Sequence, residues 1–370
     1  MPPPNIQRMT AALSHTKSII KFMDLETMEF RAACIRAVRE FFVKNGYLEL
    51  DTPALAERLI PETCLEVFKT EYLKPHGSNS RPVNGSGQAE KRKALFLTPS
   101  PEVFIKPIIA QTGRPVFQIS KCYRNTESTG RIHSPEFTML EYYTVNADYK
   151  DSIKITEKLF SFILKKIKTQ ALFSPETAGL FGKKFTQLTM DEAFKKYAGF
   201  SLAENHSSKE LAAQAERLGL GEAEKYETWN NDDLYELILV HAVEPALPEN
   251  TVTALLDYPA FVPCLAKENG GTVLKNGTPK PWHTMERWEI YARGVELANC
   301  YTEARDKEKI NAYFKNEDRL KQQHARVPHP AVQNFGEICS KMPPCSGVAM
   351  GLDRLIMLLA SRSNLESVLF

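Results

Sequence analysis

Three short stretches of this 370-residue chain set charged or hydrogen-bonding side chains at strand spacing, where a buried strand would carry apolar ones. In residues 116–146, Phe117, Ile119 and Tyr123 alternate with Gln118, Ser120, Cys122 and Arg124, the period of a half-buried strand. A polar connection over residues 126–134 leads to a second strand, with Phe137, Met139, Glu141 and Tyr143 on one face. That face presents a guanidinium, a ring, a carboxylate and a phenol. Arg124 suits a phosphate, Phe137 a stacked base, and Glu141 a cation. Alternation by itself favours a plain charged hairpin at the surface.

The second stretch is residues 287–303, with a hairpin turn at Gly294. Glu289, Glu296, Asn299 and Glu303 lie in strands that are otherwise apolar. Carboxylates on neighbouring strands repel unless a positive group lies between them. A Mg²⁺ carrying ATP phosphates would satisfy Glu289 and Glu296, and an ammonium would satisfy Glu303. Asn299, Tyr301 and Glu303 share strand parity, and Glu296 does not. A bulge between Glu296 and Asn299 is therefore required if all of them face one ligand. The alternative is an exposed acidic strand pair, which the apolar flanks disfavour. In the third stretch, residues 345–357, Gly347, Ala349 and Gly351 leave one strand face nearly bare, so that a ligand can lie against the backbone. The helix that follows puts Arg354 in its first turn, where dipole and guanidinium both favour a phosphate.

These side chains need a sheet to carry them and helices to bury its other face. An amphipathic helix is expected from about residue 29, with Ala33, Ile35, Val38, Phe41 and Phe42 at helical spacing and Asn45-Gly46 at its end. A short strand over 47–50 and Pro53 follow. Further strands are expected at 65–73 and 94–98. Between them, residues 74–93 read as a mobile loop. A helix over 103–111 opens at Pro101 and Glu102, whose carboxylate suits a helix N-terminus. Residues 148–168 form a helix with Lys165, Lys166 and Lys168 outside. Three helices over 188–247 (190–197, 208–218 and 232–243) read as an insertion. Strands at 251–266 and 286–292 flank a polar stretch over 267–280. A surface helix at 307–321 and a Pro-bearing linker at 324–330 complete the outline. Residues 1–29 form an N-terminal extension, and 30–370 the principal domain.

Net charge is +2, so no global basic field argues for nucleic acid. The seven cysteines (34, 64, 122, 264, 300, 339, 345) show no zinc spacing and suit a reducing cytosol. No apolar run reaches membrane-spanning length, and no signal peptide is visible. A cytoplasmic protein is expected.

Three segments, in this order along the chain, resemble motifs 1, 2 and 3 of the class II aminoacyl-tRNA synthetases. Helix, glycine, strand and Pro53 stand for motif 1, YRN…HSPEFTMLEYY for motif 2, and the Gly-rich strand with Asp353-Arg354 for motif 3. DYPAFVPCLA over 257–266 resembles a segment of the lysyl enzymes. The resemblance covers about 30–370. Ser100 and Ala349, where tRNA-charging enzymes have alanine and glycine, are similar to the elongation factor P–(R)-β-lysine ligases. So is the absence of room for an anticodon-binding barrel ahead of motif 1.

The resemblance implies an α+β fold with an antiparallel sheet of six or more strands flanked by helices, and a homodimer built on motif 1. It implies an ATP-dependent, AMP-forming ligase that uses Mg²⁺, activates a lysine-type acid, most specifically (R)-β-lysine, and passes it to a lysine of elongation factor P. The alternative it leaves is charging of tRNA or another small acceptor with lysine. A non-catalytic regulatory paralogue ranks last, because the ATP residues are present. By the same resemblance Arg124 binds the α-phosphate and Arg354 the terminal phosphate, and Phe137 and Arg354 clamp adenine. His133 reaches the γ-phosphate, and Glu289 and Glu296 hold Mg²⁺. Ser100, Glu102, Glu141, Tyr143, Asn299, Glu303 and Ala349 line the amino-acid pocket, Glu303 facing the side-chain amine. The motif 2 loop departs from the pattern. It is one residue longer, with Thr126 at the adenine-reading place, which leaves the role to either Thr126 or Glu127. Cys300 replaces a glycine and is expected to narrow the pocket. The basic segment 91–93 and Lys165, Lys166 and Lys168 are candidates to steer an acidic acceptor, though plain surface is the simpler reading.

Overall fold

The structure is a computed structural model that describes residues 23–73, 92–126, 130–275 and 277–369. Asp24 opens the first helix by accepting the Thr27 amide at 2.7 Å. This helix, α1 (Leu25–Lys44), begins ahead of residue 29, because cap chemistry and not apolar spacing sets a first turn. It buries Phe30, Ala33, Val38 and Phe42 and ends at Asn45, with Gly46 at φ 81°. Then come β1 (Leu48–Glu49), β2 (Leu55–Ala56), β3 (Lys69–Leu73) and β4 (Arg92–Leu97). Residues 74–91 of the expected loop lie outside the described residues. Arg92 and Lys93 do not belong to a loop; they pair with β3 as the start of β4. Next are α2 (Glu102–Thr112), β5 (Val116–Tyr123), β6 (Glu136–Val145) and α3 (Tyr149–Ile167). Pro101 is the residue before the first turn of α2 and not in it.

The chain continues through α4 (Pro175–Phe181), β7 (Thr186–Thr189), α5 (Met190–Ala193), α6 (Ser208–Arg217) and α7 (Asn231–Ile238). Both α5 and α7 run on through a wider turn, to Ala198 and Val243. β8 (Thr253–Pro259) is shorter than expected. The polar stretch after it is not structureless: it holds β9 (Glu268–Asn269), β10 (Thr272–Lys275) and β11 (Thr278–Pro281). The β10–β11 hairpin has little to bury. It is tied down instead by Lys275 and Lys280, which both pair with Glu210, at 2.6 and 2.9 Å. β12 (Thr284–Ala292), β13 (Val295–Thr302), α8 (Lys307–His324), α9 (Phe335–Ser340), β14 (Cys345–Gly351) and α10 (Leu352–Leu359) finish the fold. Among the described residues no helix is long and apolar enough to cross a membrane.

The main sheet runs β1-β5-β6-β14-β13-β12-β8-β7, with β9 pairing to β12. Its six central strands, β5 to β8 in that order, are antiparallel, as expected; the edge pairs β1–β5 and β7–β8 are parallel. One face carries Phe117, Leu140, Tyr142, Trp288, Ile290, Val348 and Met350 and packs on α1, α3 and α10. Phe42 stacks on Phe117 at 4.9 Å between ring centres. The other face is covered only at its ends. A cluster built from α5, α6 and α7 seats on Leu255, Tyr258 and Tyr291. A second cluster, from α2, α8 and α9, seats on Val116 and Tyr143. The middle of that face is left as a cleft.

Candidate active site

The floor of the cleft follows from strand register. Gln118 pairs with Glu141, Ala349 with Glu141 on the other side, and Asn299 with Ala349 and Glu289. These positions therefore point to one face. Glu296 joins them through a bulge. Ile290 pairs with Ala298, but Tyr291 pairs with Glu296, so Leu297 is the extra residue on β13. The bulge falls between Glu296 and Asn299, where strand parity required it. Cys300 pairs with Trp288 and Val348 and is buried in the core on the opposite face, so it does not narrow the cleft as its sequence position suggested.

Two recesses share the cleft. The outer, about 240 Å³, is lined by Arg124, His133, Phe137, Glu296 and Arg354 among others. The inner, about 100 Å³, is lined by Ser100, Glu102, Glu141, Tyr143, Asn299, Glu303 and Ala349, all the residues expected there, and also by Glu62. Arg124, Met139, Asn299 and Ala349 border both. Glu127 lies outside the described residues; Thr126 next to it has φ 59°. A larger cavity, about 870 Å³, lies elsewhere, behind Glu303 between α8 and the β12–β13 edge. It holds no constellation comparable to the cleft.

In the outer recess the Arg124 guanidinium lies 5.3 Å from the Phe137 ring centre, so cation and ring form one surface. Arg354 sits in the first turn of α10. Its Nε donates to the Ile132 carbonyl at 3.0 Å and its Nη1 to the Glu296 carbonyl at 2.9 Å and carboxylate at 3.2 Å. The next residue back, Asp353, is buried and joins the three motifs. Its Oδ1 accepts from Arg31 of α1 at 2.6 Å and its Oδ2 from the Thr138 amide of β6 at 2.5 Å.

Each of the two expected metal carboxylates already has a guanidinium beside it. Arg287 Nη2 reaches Glu289 at 2.5 Å, and Arg354 reaches Glu296. Negative charge is nonetheless in excess, because Glu244 lies close by. The Tyr291 hydroxyl contacts both Glu244 at 2.9 Å and Glu289 at 2.7 Å. Burial first, then the Glu289 charge, raises the Glu296 carboxyl despite Arg354. Among the described residues no group of three or more His, Cys, Asp or Glu side chains can hold a metal unaided. Glu289 and Glu296 thus fit a Mg²⁺ that arrives with phosphate and water oxygens of its own.

The inner recess is an acidic chamber. Lys106, on α2 and 1% exposed, pairs with Glu102 and, at 2.7 Å, with Glu303. Burial works against its charge, but the two carboxylates outweigh that and hold the ammonium protonated well above its usual range. Glu141 Oε1 accepts the Tyr143 hydroxyl at 2.7 Å, whereas its Oε2 is buried without a partner, as is Asn299 Oδ1. Burial raises Glu303, Lys106 opposes the rise and Glu102 adds to it. Lys106, Glu62 and Arg31 escaped the sequence reading, and Asp353 entered it only as part of motif 3. Only Lys106 left a usable trace, standing one helical turn after Glu102.

Burial, then the charge of Glu102, pushes Glu141 to about 8 from an ordinary 4.5, with the Tyr143 hydroxyl opposing. A carboxyl raised in the folded state stabilises fully below its unfolded pKa, and that contribution is lost as pH rises through 8. Glu141→Gln stays neutral at every pH. In ligand-free melts it is expected to exceed wild type at about pH 8.5 by on the order of 2–4 kcal/mol, the gap closing towards about pH 5. A gap that widens on acidification would show Glu141 to be ionised in the folded protein.

A sheet floor, two guanidinium groups at the outer recess and an acidic chamber behind them can take a phosphate and an amine side by side. The chain belongs to the family described as tRNA synthetases class II (D, K and N), whose model matches residues 18–370. Among individual relatives it is similar to the elongation factor P–(R)-β-lysine ligase of Vibrio parahaemolyticus, 30% identical over 93% of this chain and 94% of the relative. The enzyme of the same name from Vibrio campbellii matches to the same extent, 30% over 93% and 94%. That of Pectobacterium atrosepticum is 29% identical over 92% of both chains.

Proposed function

We propose that this chain activates (R)-β-lysine with ATP and transfers it to a lysine of elongation factor P. The observation that carries the reading is the meeting of a cationic outer recess and an acidic inner one at Arg124. A substrate with a carboxylate at one end and ammonium groups along its length fits across that boundary in one direction only.

In the first step a substrate carboxylate oxygen bonds to the α-phosphorus and the bond to pyrophosphate breaks, leaving the aminoacyl adenylate. No residue needs to act as a base, because the nucleophile is already an anion. Arg124 holds the α-phosphate and balances the charge growing there, and Arg354 holds the terminal phosphate from the helix N-terminus. Phe137 stacks on adenine and His133 reaches the γ-phosphate. Glu289 and Glu296 would hold Mg²⁺, which supplies charge neutralisation across the phosphates when bound. Ser100, Glu102, Glu141, Tyr143, Asn299, Glu303 and Ala349 orient the amino acid, so catalysis is positioning plus preorganised charge. In the second step the acceptor's ε-amine bonds to the acyl carbon, AMP leaves, and the amine gives up a proton.

A homodimer through α1 and a cytoplasmic location complete the reading; seven free thiols suit a reducing compartment. Basic side chains offered for steering are partly engaged: Lys93 pairs with Glu57 and Lys166 with Glu40. The test offers the protein ATP, Mg²⁺ and radiolabelled (R)-β-lysine with elongation factor P and total tRNA together. Label is expected in elongation factor P and lost when its acceptor lysine becomes alanine. Label in tRNA alone would replace this reading with a tRNA-charging one.

A further inference from the structure

Glu62 lines the inner recess from the loop between β2 and β3, outside all three motifs. Among the described residues no side chain donates a hydrogen bond to its carboxylate; the charges of Glu102, Arg124, Lys106 and Lys321 act on it. The backbone that carries it is nevertheless fixed on every side. Lys321 of α8, 1% exposed, donates to the Glu62 carbonyl at 2.8 Å and to the Leu65 carbonyl. Glu317 accepts the Thr63 amide at 3.0 Å and its hydroxyl at 2.7 Å. Glu66 accepts the amides of Arg326 and Val327 at 2.8 and 3.1 Å. Such bracing holds a charged side chain at a set place.

The same recess contains a second sign that a donor-bearing ligand belongs there. Glu141 is 2% exposed, and its Oε2 has no partner. Glu102 and Glu303 share the Lys106 ammonium, so much of their charge is answered. Glu62 has no such close ion pair, and Glu141 Oε2 is left as a free acceptor. They also differ in place. Glu62 shares the lining of the recess with Glu102 and Arg124, and behind the larger effect of burial Glu102 raises its carboxyl while Arg124, Lys106 and Lys321 lower it. Arg124 borders the outer recess, where the substrate carboxylate must react. Glu303 lies deeper, against Gly347.

We infer that Glu62 is a specificity-determining residue that receives the amino group nearest the reacting carboxylate, leaving the distal amine to Glu303 and Glu141. This rests on the lysine-activating function proposed above. An ammonium between Glu62 and Glu102 relieves the repulsion between them, and a substrate lacking that amine leaves it in place.

The experiment is ATP–pyrophosphate exchange on the full chain with (R)-β-lysine. It is paired with inhibition of that exchange by 6-aminohexanoate, which keeps the carboxylate and distal amine and lacks the proximal one. In Glu62→Gln, kcat/KM for (R)-β-lysine is expected to fall about 10–100-fold, chiefly through KM, the worth of one charge-assisted contact. The inhibition constant of 6-aminohexanoate should not move, and Glu62→Asp should recover part of the loss. Equal losses for both compounds would make Glu62 a brace of the recess and overturn the assignment; so would no loss for either. Wild-type protein that exchanges with no lysine-type acid would remove the underlying function and this role together. Active wild type with an indifferent Glu62→Gln removes the role alone.

Discussion

Arg354→Ala is expected to lower ATP–pyrophosphate exchange by on the order of 10²–10³, the usual cost of deleting a preorganised charge at a reacting centre. Two losses combine. The phosphate loses a guanidinium in the first turn of α10, and Glu296 loses the cation 3.2 Å away that offsets Glu289. The fold should survive, because the carbonyls of Ile132 and Glu296 that Arg354 caps border the open outer recess, where water can replace it. Arg354→Lys separates the two losses. It keeps a charge but cannot serve both carbonyls and a phosphate through one planar fork, so it should recover only part of the rate. Exchange unchanged in a well-folded Arg354→Ala protein would take this residue out of the site.

Glu303→Gln should raise the amino-acid KM far more than the ATP KM, and should also destabilise the protein. Breaking a buried pair costs on the order of 3–5 kcal/mol, and Glu303 pairs with Lys106 at 2.7 Å before any substrate arrives. Binding and folding draw on the same carboxylate, so the variant needs a companion. In Glu303→Gln with Lys106→Met the ammonium left with Glu102 alone is gone, but Glu102 loses its own partner, so at most part of the lost melting temperature should return. The amino-acid KM should stay high. If the double variant regains both, Glu303 serves Lys106 and the distal amine lies elsewhere. If Glu303→Gln leaves both unchanged, the pair contributes nothing in this protein.

The floor of the site was legible in the sequence because strand parity is a local property. Gln118, Glu141, Asn299 and Ala349 sit where alternation put them, and the mismatch of Glu296 with Asn299 called for a bulge that the β12–β13 register contains. The walls were not legible in the same way. Arg31 meets Asp353 across 322 positions, and Lys321 reaches the Glu62 loop across 259. No periodicity links residues that far apart, and each alone looks like an ordinary helix charge. Cys300 shows the converse: a change next to Asn299 in sequence points to the other side of the sheet. The β10–β11 hairpin was passed over because ion pairs to Glu210, and not apolar alternation, hold it in place.

Gly347 limits how the protein's substrate range can change by mutation. A methyl group added there would meet the Glu303 carboxylate and the Tyr143 ring, which occupy the space a side chain would need. The backbone cannot retreat, since β14 is hydrogen-bonded to β6 on one side and β13 on the other. Any side chain at 347 therefore displaces Glu303 and Tyr143 before it reshapes the chamber around them. Laboratory evolution towards shorter or longer amino acids has no gradual route through the floor. It must work through the walls, and of these the Glu62 loop is held in part by the side chains of Lys321, Glu317 and Glu66, which single substitutions can loosen by degrees.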